Sequence, residues 1–404
     1  MDPSFAALVA EARELLPEAV RLRRRLHAQP ELGLDLPQTR AAIVEALDGL
    51  PLELETGGAT SQVVATLRGA RPGPTLLLRA DMDALPLQED TGLEFASERK
   101  GAMHACGHDA HVAMLASAAH LLARRRDTLA GTVKLLFQPG EEGFGGARIL
   151  IGEGLLDKEP RAEAAFAIHV DPSLPAGAVA TRPGPLMASA DVLSIELIGR
   201  GGHASMPHLA VDPIPVACEI VLALQTLVTR RTDAFDPVVV SVTRVSSGTT
   251  NNVIPATAHL LGTIRSVSER ARRGIHEGIR RVVSGVAAAH DVEAKVNLLE
   301  GYPVTVNHDG FARFARGVAA DLVGSEAVID MRTPIMGAED FSYILERVPG
   351  AMVFLGARPS GGAPGRAPAP LHSNRMLLEE SVLATGAALH AAVALRFLES
   401  GGRL

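Results

Sequence analysis

Thr75-Leu-Leu-Leu-Arg79 running into Ala80-Asp81-Met82-Asp83 is an apolar run of strand length that ends on two carboxylates. Three other stretches repeat the design. Val133 to Gln138 leads to Pro139-Gly140-Glu141-Glu142, Ala164 to Ile168 ends at His169, and Met352 to Gly356 precedes a Gly/Pro-rich loop and His372. Short apolar runs bounded by Gly or Pro are what buried strands look like. Helical stretches such as Ala110 to Arg126 and Arg148 to Leu156 lie between them, and the alternation predicts an α/β domain on a mostly parallel sheet. Such sheets bind ligands beyond the carboxyl ends of their strands. Polar residues at four strand ends therefore mark a site, although each alone could be a turn former.

His104-Ala-Cys106-Gly-His108-Asp109-Ala-His111 packs five potential ligands into eight residues, just ahead of the helical pattern Val112 to Leu122. Each would otherwise need its own hydrogen-bond partner or water, whereas one divalent cation satisfies several. The alternative is a His-rich surface turn. Glu141 and Glu142 leave their turn in different directions, so one can bind a metal while its neighbour faces a substrate. That division suits metal-assisted hydrolysis, in which a free carboxylate takes and delivers the proton. Taken alone, the pair could be a solvated acidic turn. Asp83 either receives a ring N–H and fixes a ligand's tautomer or caps the strand-to-loop turn; Asp81 has the weaker claim.

A chain of 404 residues with 47% hydrophobic content has material for two cores. Asp and Glu total 46 against 39 Lys and Arg, and the net charge of -7 is spread along the chain, so nucleic acid is not an expected partner. Only Cys106 and Cys218 are present, and one belongs to the ligand cluster; a reducing, cytoplasmic setting follows better than a disulfide framework. Met1 to Leu26 reads as an amphipathic helix, not a signal peptide. No run of about 18 apolar residues predicts a membrane span.

From about Leu186 to Glu300 the texture changes to strands at Asp191 to Ile198, Val238 to Val245 and His259 to Arg265, with helices at Pro213 to Arg230 and Glu269 to Ala289. This predicts a small α+β domain with one open sheet face, inserted at 186–300 into a first domain made of 1–185 and 301–404. A long helix from Met376 to Leu398 would close the chain, and Arg358 to Pro370 reads as a loop. Within the insert, Gly199-Arg-Gly-Gly202-His203 has neither the Lys-Ser/Thr of a phosphate loop nor the third glycine of a dinucleotide fingerprint, so its glycines shape a turn that presents His203. Asn252 and Arg265 supply an amide and a guanidinium, the latter suited to a carboxylate, although as isolated residues they could equally be a turn and a salt-bridge partner.

Arg24-Arg-Leu-His-Ala-Gln-Pro-Glu31-Leu-Gly, Arg79-Ala-Asp-Met-Asp-Ala-Leu-Pro86, His104 to His111, Phe137-Gln-Pro-Gly-Glu-Glu-Gly143, Gly201-Gly-His-Ala-Ser-Met-Pro-His208, Asn252-Val-Ile-Pro255 and Gly337-Ala-Glu-Asp-Phe341 together resemble the M20 metallopeptidase family. The Cys-Gly-His form is similar to its amidohydrolase branch, which includes hippurate hydrolases and aminoacylases. The resemblance spans nearly the whole chain; Leu34-Asp35-Leu36-Pro37 departs from the acidic stretch common in relatives.

The resemblance implies a zinc-peptidase-like α/β catalytic domain interrupted by a smaller α+β lid that often forms the dimer. It implies that Cys106, His108, Glu142, His169 and His372 hold two divalent ions, Zn or Mn with Co or Ni as further choices, that Glu141 is the general base and that Asp83 supports the centre. It assigns His203, Asn252 and Arg265 to the lid residues that reach the scissile group and the substrate carboxylate, sometimes from a neighbouring subunit. The implied activity is hydrolysis of the amide of a small N-acyl amino acid, with no nucleic acid or membrane partner. A dipeptidase or carboxypeptidase of the same chemistry is the nearest alternative; a non-catalytic binding protein would have no use for Glu141 beside the ligand set.

Overall fold

The computed structural model describes residues 3–360 and 367–404, in two compact units. The larger comprises Met1–Gly184, Val306–Arg332 and Tyr343–Leu404, and the smaller Pro185–Thr305 with Thr333–Ser342. Thr333–Ser342 departs from the sequence expectation that everything after 300 returns to the first domain, because Ala188 N–H donates to Ile335 O and Gly337 O at 3.0 and 2.9 Å and ties that stretch to the insert. Part of the expected loop Arg358 to Pro370, residues 361–366, lies outside the described residues.

At the centre of an eight-stranded sheet in the larger unit, Ala130–Gln138, Arg71–Asp81, Ala164–Asp171 and Gly350–Gly356 run parallel, side by side. Antiparallel Val63–Arg68 and Glu53–Thr56 extend one side, and Val179–Thr181 joins the other. All four apolar runs are strands, and their parallel alignment brings their carboxyl ends to one edge. Helix His108–Ala123 is buried everywhere except at His120 and Ala123, packed on Val382–Glu399, Leu16–Ala28 and the Arg71–Asp81 strand.

Local differences from expectation have local causes. The N-terminal helix divides into Pro3–Glu14 and Leu16–Ala28, with Pro17 in the first turn of the second, where a missing N–H costs nothing. Gly146–Gly152 stops short of Leu156, ahead of Gly154 at φ +88°. The last helix begins at Val382, not Met376, because Glu379 and Glu380 are engaged by Ser360 and Ser381 and by Arg23 and Arg24.

The smaller unit is a four-stranded antiparallel sheet in the order Val238–Ser247, Thr257–Ser266, Asp191–Ile198, Glu293–Glu300. The fourth strand carries charges among its apolar residues and little burial, so it gave no clear pattern in the sequence. Leu193, Ile195 and Leu197 face helices Pro213–Arg231 and Glu269–Ala289 in one core, while Val192, Val239, Leu261 and Leu299 stay exposed on the open face. Asp191 ties the unit's entry to its exit by accepting from Arg272 (2.5 and 2.9 Å), His276 (2.8 Å) and Gly301 N–H (3.1 Å). Burial opposes its charge, but the His276 and Arg272 hydrogen bonds prevail and hold its pKa at about 2.

Pro213–Arg231 and Val382–Glu399 are long and apolar enough to cross a membrane by composition, but Val382–Glu399 is a core helix and Pro213–Arg231 buries one stripe on its sheet. The core helix approaches its neighbour at Gly386, where an added Cβ would stand 1.9 Å from Met114 Sδ and 3.1 Å from Leu355 Cδ2. Overpacking of this kind costs typically about 1–3 kcal/mol. Gly386→Val should therefore lower the denaturant midpoint with an unchanged m-value; a midpoint equal to wild type would show that the two helices are not in close contact there.

Candidate metal centre

Period-two geometry places Arg79, Asp81 and Asp83 on one side of the chain as the Arg71–Asp81 strand ends. Arg79 bridges to Asp81 Oδ2 (2.6 Å) and donates to Gln138 Oε1 (3.0 Å), joining two strand ends. Asp83 then accepts the consecutive N–H groups of Glu141 (2.9 Å, at Oδ1) and Glu142 (3.1 Å, at Oδ2). The carboxylate thus fixes the Glu141–Glu142 turn, while the ring N–H expected for it goes to Asp83's own backbone oxygen, 2.8 Å from His108 Nδ1.

Gly107 makes the Cys106–His108 turn possible. It sits at φ +86°, and a Cβ there would lie 2.4 Å from Val170 Cγ2. His108 then opens a buried helix and Cys106 lies against the Ala164–Asp171 strand, with Sγ 3.4 Å from His169 Nε2. His169 is inside that strand, not beyond it, and its Nδ1 donates to Val170 O at 2.7 Å. His108 and His169 share one logic: Nδ1–H is spent on a carbonyl, and Nε2 keeps its lone pair for the centre. His372 has φ +65°, a conformation costing about 1–3 kcal/mol for such a residue, and its N–H bonds Ala105 O at 2.8 Å. Its Nε2 is 3.5 Å from Glu142 Oε1.

Three groups of donor atoms result, each within 4.8 Å of one another: Cys106, His108 and His169; Cys106, Glu142 and His372; His108, Glu141 and Glu142. His108 Nε2 and Glu142 Oε1 are buried with no hydrogen-bond partner. Unpartnered buried polar atoms are costly, and a thiol, imidazoles and carboxylates converging on them form a donor set that fits divalent cations.

The electrostatics point the same way. Burial disfavours a charge on His108, yet Asp81 and Cys106 outweigh it and raise its pKa well above the usual imidazole range, so a bound cation would have to displace a proton from Nε2. Burial, aided by Asp83 and Asp81, raises Glu142 to about 7, and burial pushes the Cys106 thiol up. Burial lowers His169 to about 3, and burial with nearby His108 lowers His372. At neutral pH His169 is an uncharged ring, the form that binds metals.

Asp109 and His111 of the same cluster are engaged by protein groups. Asp109 Oδ2 accepts from Arg23 Nε (2.9 Å) and His27 Nδ1 (2.7 Å), and despite burial these cations hold its carboxyl far below the usual range. His111 has both nitrogens engaged, at Asp81 Oδ1 (2.5 Å) and Val170 N–H (2.9 Å). Asp81, ranked below Asp83 in the sequence, is fully buried 3.7 Å from His108 Nε2. Its equal two-residue spacing from Arg79 and Asp83 was the available signal, as was the helical i, i+4 spacing of Arg23 and His27.

In the smaller unit, Gly202-His203 pairs antiparallel with Val253-Ile254, and Ala204 N–H bonds Asn252 O at 3.1 Å, so His203 and Asn252 are neighbours. Ser205 N–H donates to His203 Nδ1 at 3.1 Å, which leaves the proton of the neutral ring on an exposed Nε2. Arg265 is half-buried, bonded to Thr263 and to Ile264 O (3.1 Å), and meets no carboxylate at ion-pair distance among the described residues. Burial lowers its pKa.

A family model described as peptidase family M20/M25/M40 matches residues 77–396. Thermostable carboxypeptidase 1 of Saccharolobus solfataricus is 39% identical, over 96% of this chain and 97% of its own. N-acetylcysteine deacetylase of Bacillus subtilis is 40% identical, over 83% and 87%. A crystal structure from Bacillus subtilis described as a dinuclear metal binding peptidase from the M20 family superimposes with TM-score 0.82 at 34% identity, over 96% of this chain and 99% of its own.

Gly107 offers a test of the site's construction. Alanine there combines a left-handed conformation, costing about 1–2 kcal/mol, with a contact against Val170. Gly107→Ala should lower both the melting temperature and the metal content of the purified protein; wild-type values of both would show that the turn does not depend on glycine.

Proposed function

The chain belongs to peptidase family M20/M25/M40 and is a metal-dependent hydrolase of amide bonds, and from that premise we propose that it cleaves N-acyl amino acids or similar small conjugates. We assign Cys106, His108, Glu142, His169 and His372 to two divalent ions per chain, Zn or Mn, with Co or Ni also compatible with the donors. The thiol favours zinc. When bound, the ions would polarise the scissile carbonyl and acidify a water molecule.

The chain's own residues carry the proton and the substrate. Glu141 takes a proton from the attacking water at a carboxylate oxygen and delivers it to the leaving amine nitrogen. His203 donates its Nε2–H to the oxyanion. Asn252 and Arg265 hold the substrate's carboxylate, a role supported by a half-buried guanidinium without a carboxylate partner among the described residues. Asp83 positions Glu141 and Glu142. The observation that carries the reading is the pair of unpartnered buried atoms, His108 Nε2 and Glu142 Oε1, beside Glu141, whose backbone N–H is accepted by Asp83.

The name of the carboxypeptidase relative supports a second reading, a dipeptidase or carboxypeptidase with the same chemistry. Rates on N-acetyl, N-benzoyl and indole-acetyl amino acids against dipeptides, in metal-supplemented enzyme, separate the two: acyl substrates should prevail. Two unpaired cysteines support a reducing cytoplasm as the setting.

Glu141→Gln should keep near-normal metal content while kcat falls by several orders of magnitude, on the order of the 10²–10⁴-fold or more contributed by a positioned acid–base group. Equal activity at matched metal content would remove Glu141 from the mechanism.

The lid is proposed to form a homodimer in which His203 serves the neighbouring subunit's centre. Glu141→Ala co-expressed with His203→Ala should then regain about a quarter of wild-type activity through random pairing. Activity no higher than the two variants measured apart, in a sample containing mixed dimers, would exclude the shared site.

A further inference from the structure

His111 is the third imidazole of the metal-centre turn, and the mechanism above gives it no part. It nevertheless lies between two of the proposed donors, with ring centroids 5.5 Å from His108 at a 30° tilt and 4.7 Å from His169 at 67°. Donor atoms of Asp81, His108 and His111 also fall within 4.8 Å of one another, which would allow a ligand group besides the three described above. Hydrogen bonding decides between ligand and support. Val170 N–H donates to Nε2 at 2.9 Å, so that nitrogen has no proton and its lone pair is used. The ring proton therefore sits on Nδ1 and is donated to Asp81 Oδ1 at 2.5 Å. Neither nitrogen has anything left for a cation.

We infer that His111 is a positioning residue, which orients His169 through the Val170 backbone and holds no metal itself. Asp81, held by Arg79, fixes one side of the His111 ring, and the other side fixes Val170 N–H. The Val170 carbonyl in turn accepts His169 Nδ1–H at 2.7 Å, which turns His169 Nε2 toward Cys106 Sγ, 3.4 Å away. Val170 is crowded from a third direction by the Gly107 turn. A continuous chain of contacts thus runs from the end of one strand to a donor on the next. Partners of this kind typically change metal affinity by about 10- to 100-fold when removed.

The inference rests on the reading of Cys106, His108 and His169 as metal donors, and the experiment separates the two. In wild-type enzyme carrying ¹⁵N-labelled histidine, zinc titration should move the Nε2 resonances of His108 and His169 and leave His111 in the Nδ1–H form throughout. Movement of His111 Nε2 to a metal-bound shift would overturn the positioning role alone. No response from any of the three would overturn the reading of the centre and this inference with it. A second arm uses His111→Phe, His111→Asn and His111→Gln, loaded with cobalt, with folding of each metal-free variant checked by circular dichroism. Glutamine places an acceptor near the Nε2 position and asparagine a donor near Nδ1. Phe and Asn should bind cobalt about 10- to 100-fold more weakly and alter the Cys106 thiolate-to-cobalt band, and Gln should restore both in part. Equal affinity and spectra in Phe and wild type, or equal loss in Gln and Phe, would contradict the role.

Discussion

Two consecutive backbone N–H groups donated to one carboxylate, that of Asp83, fix where the reactive groups of the larger unit stand. Hydrogen bonds to a charged group contribute about 1.5–3 kcal/mol each, so the turn after the Ala130–Gln138 strand has one strongly preferred position. Glu141 and Glu142 follow it with carboxylate oxygens within 4.8 Å of each other and of a His108 nitrogen. The same residue's carbonyl sets the tautomer of His108. A single position beyond a parallel strand therefore coordinates groups from two further segments, something only adjacent parallel strands ending at one edge allow.

Around that point the protein buries several ionisable groups, and some of them are matched by opposite charges. Asp81 is buried, which opposes its charge, but Arg79, His108 and His111 overcome that and hold it well below the usual carboxylate range. Asp109 has Arg23 and His27. Removing one member of such a pair would leave an uncompensated charge, with losses of roughly 3–5 kcal/mol. His108 Nε2 and Glu142 Oε1 are buried without hydrogen-bond partners, as are both nitrogens of His104 and Asp109 Oδ1, but only the first two belong to the groups of donors that converge with Cys106, His169 and His372.

The fold was legible because buried parallel strands show as short apolar runs with Gly or Pro at their ends, and all four runs became strands. The edge strand Glu293–Glu300 was not, since a strand with little burial has no strong apolar pattern. Nor could the sequence place Thr333–Ser342, whose hydrogen bonds to Ala188 are made at long range. In the site, ligand-type residues were visible by density and position, and only the family resemblance, not the residues themselves, divided the cluster into proposed donors and others. That division depends on which atom already has a partner, as with His111 against His108, and partners such as Val170 N–H and Asp83 O belong to the backbone. Asp83 itself shows the limit: its place at the strand end was readable, but its bonds to Glu141 and Glu142 were not.

The central claim, that Cys106, His108, Glu142, His169 and His372 form the metal centre while His111 positions His169 and Asp109 pairs with Arg23 and His27, is tested most directly by anomalous diffraction at the zinc edge from zinc-loaded crystals. The account predicts two peaks, both within bonding distance of atoms from the five named residues, roughly 2.0–2.3 Å, with Cys106 Sγ contributing to at least one. A peak bonded to His111 Nε2 or to Asp109, or zinc bound with no contact to Cys106 Sγ, would contradict it.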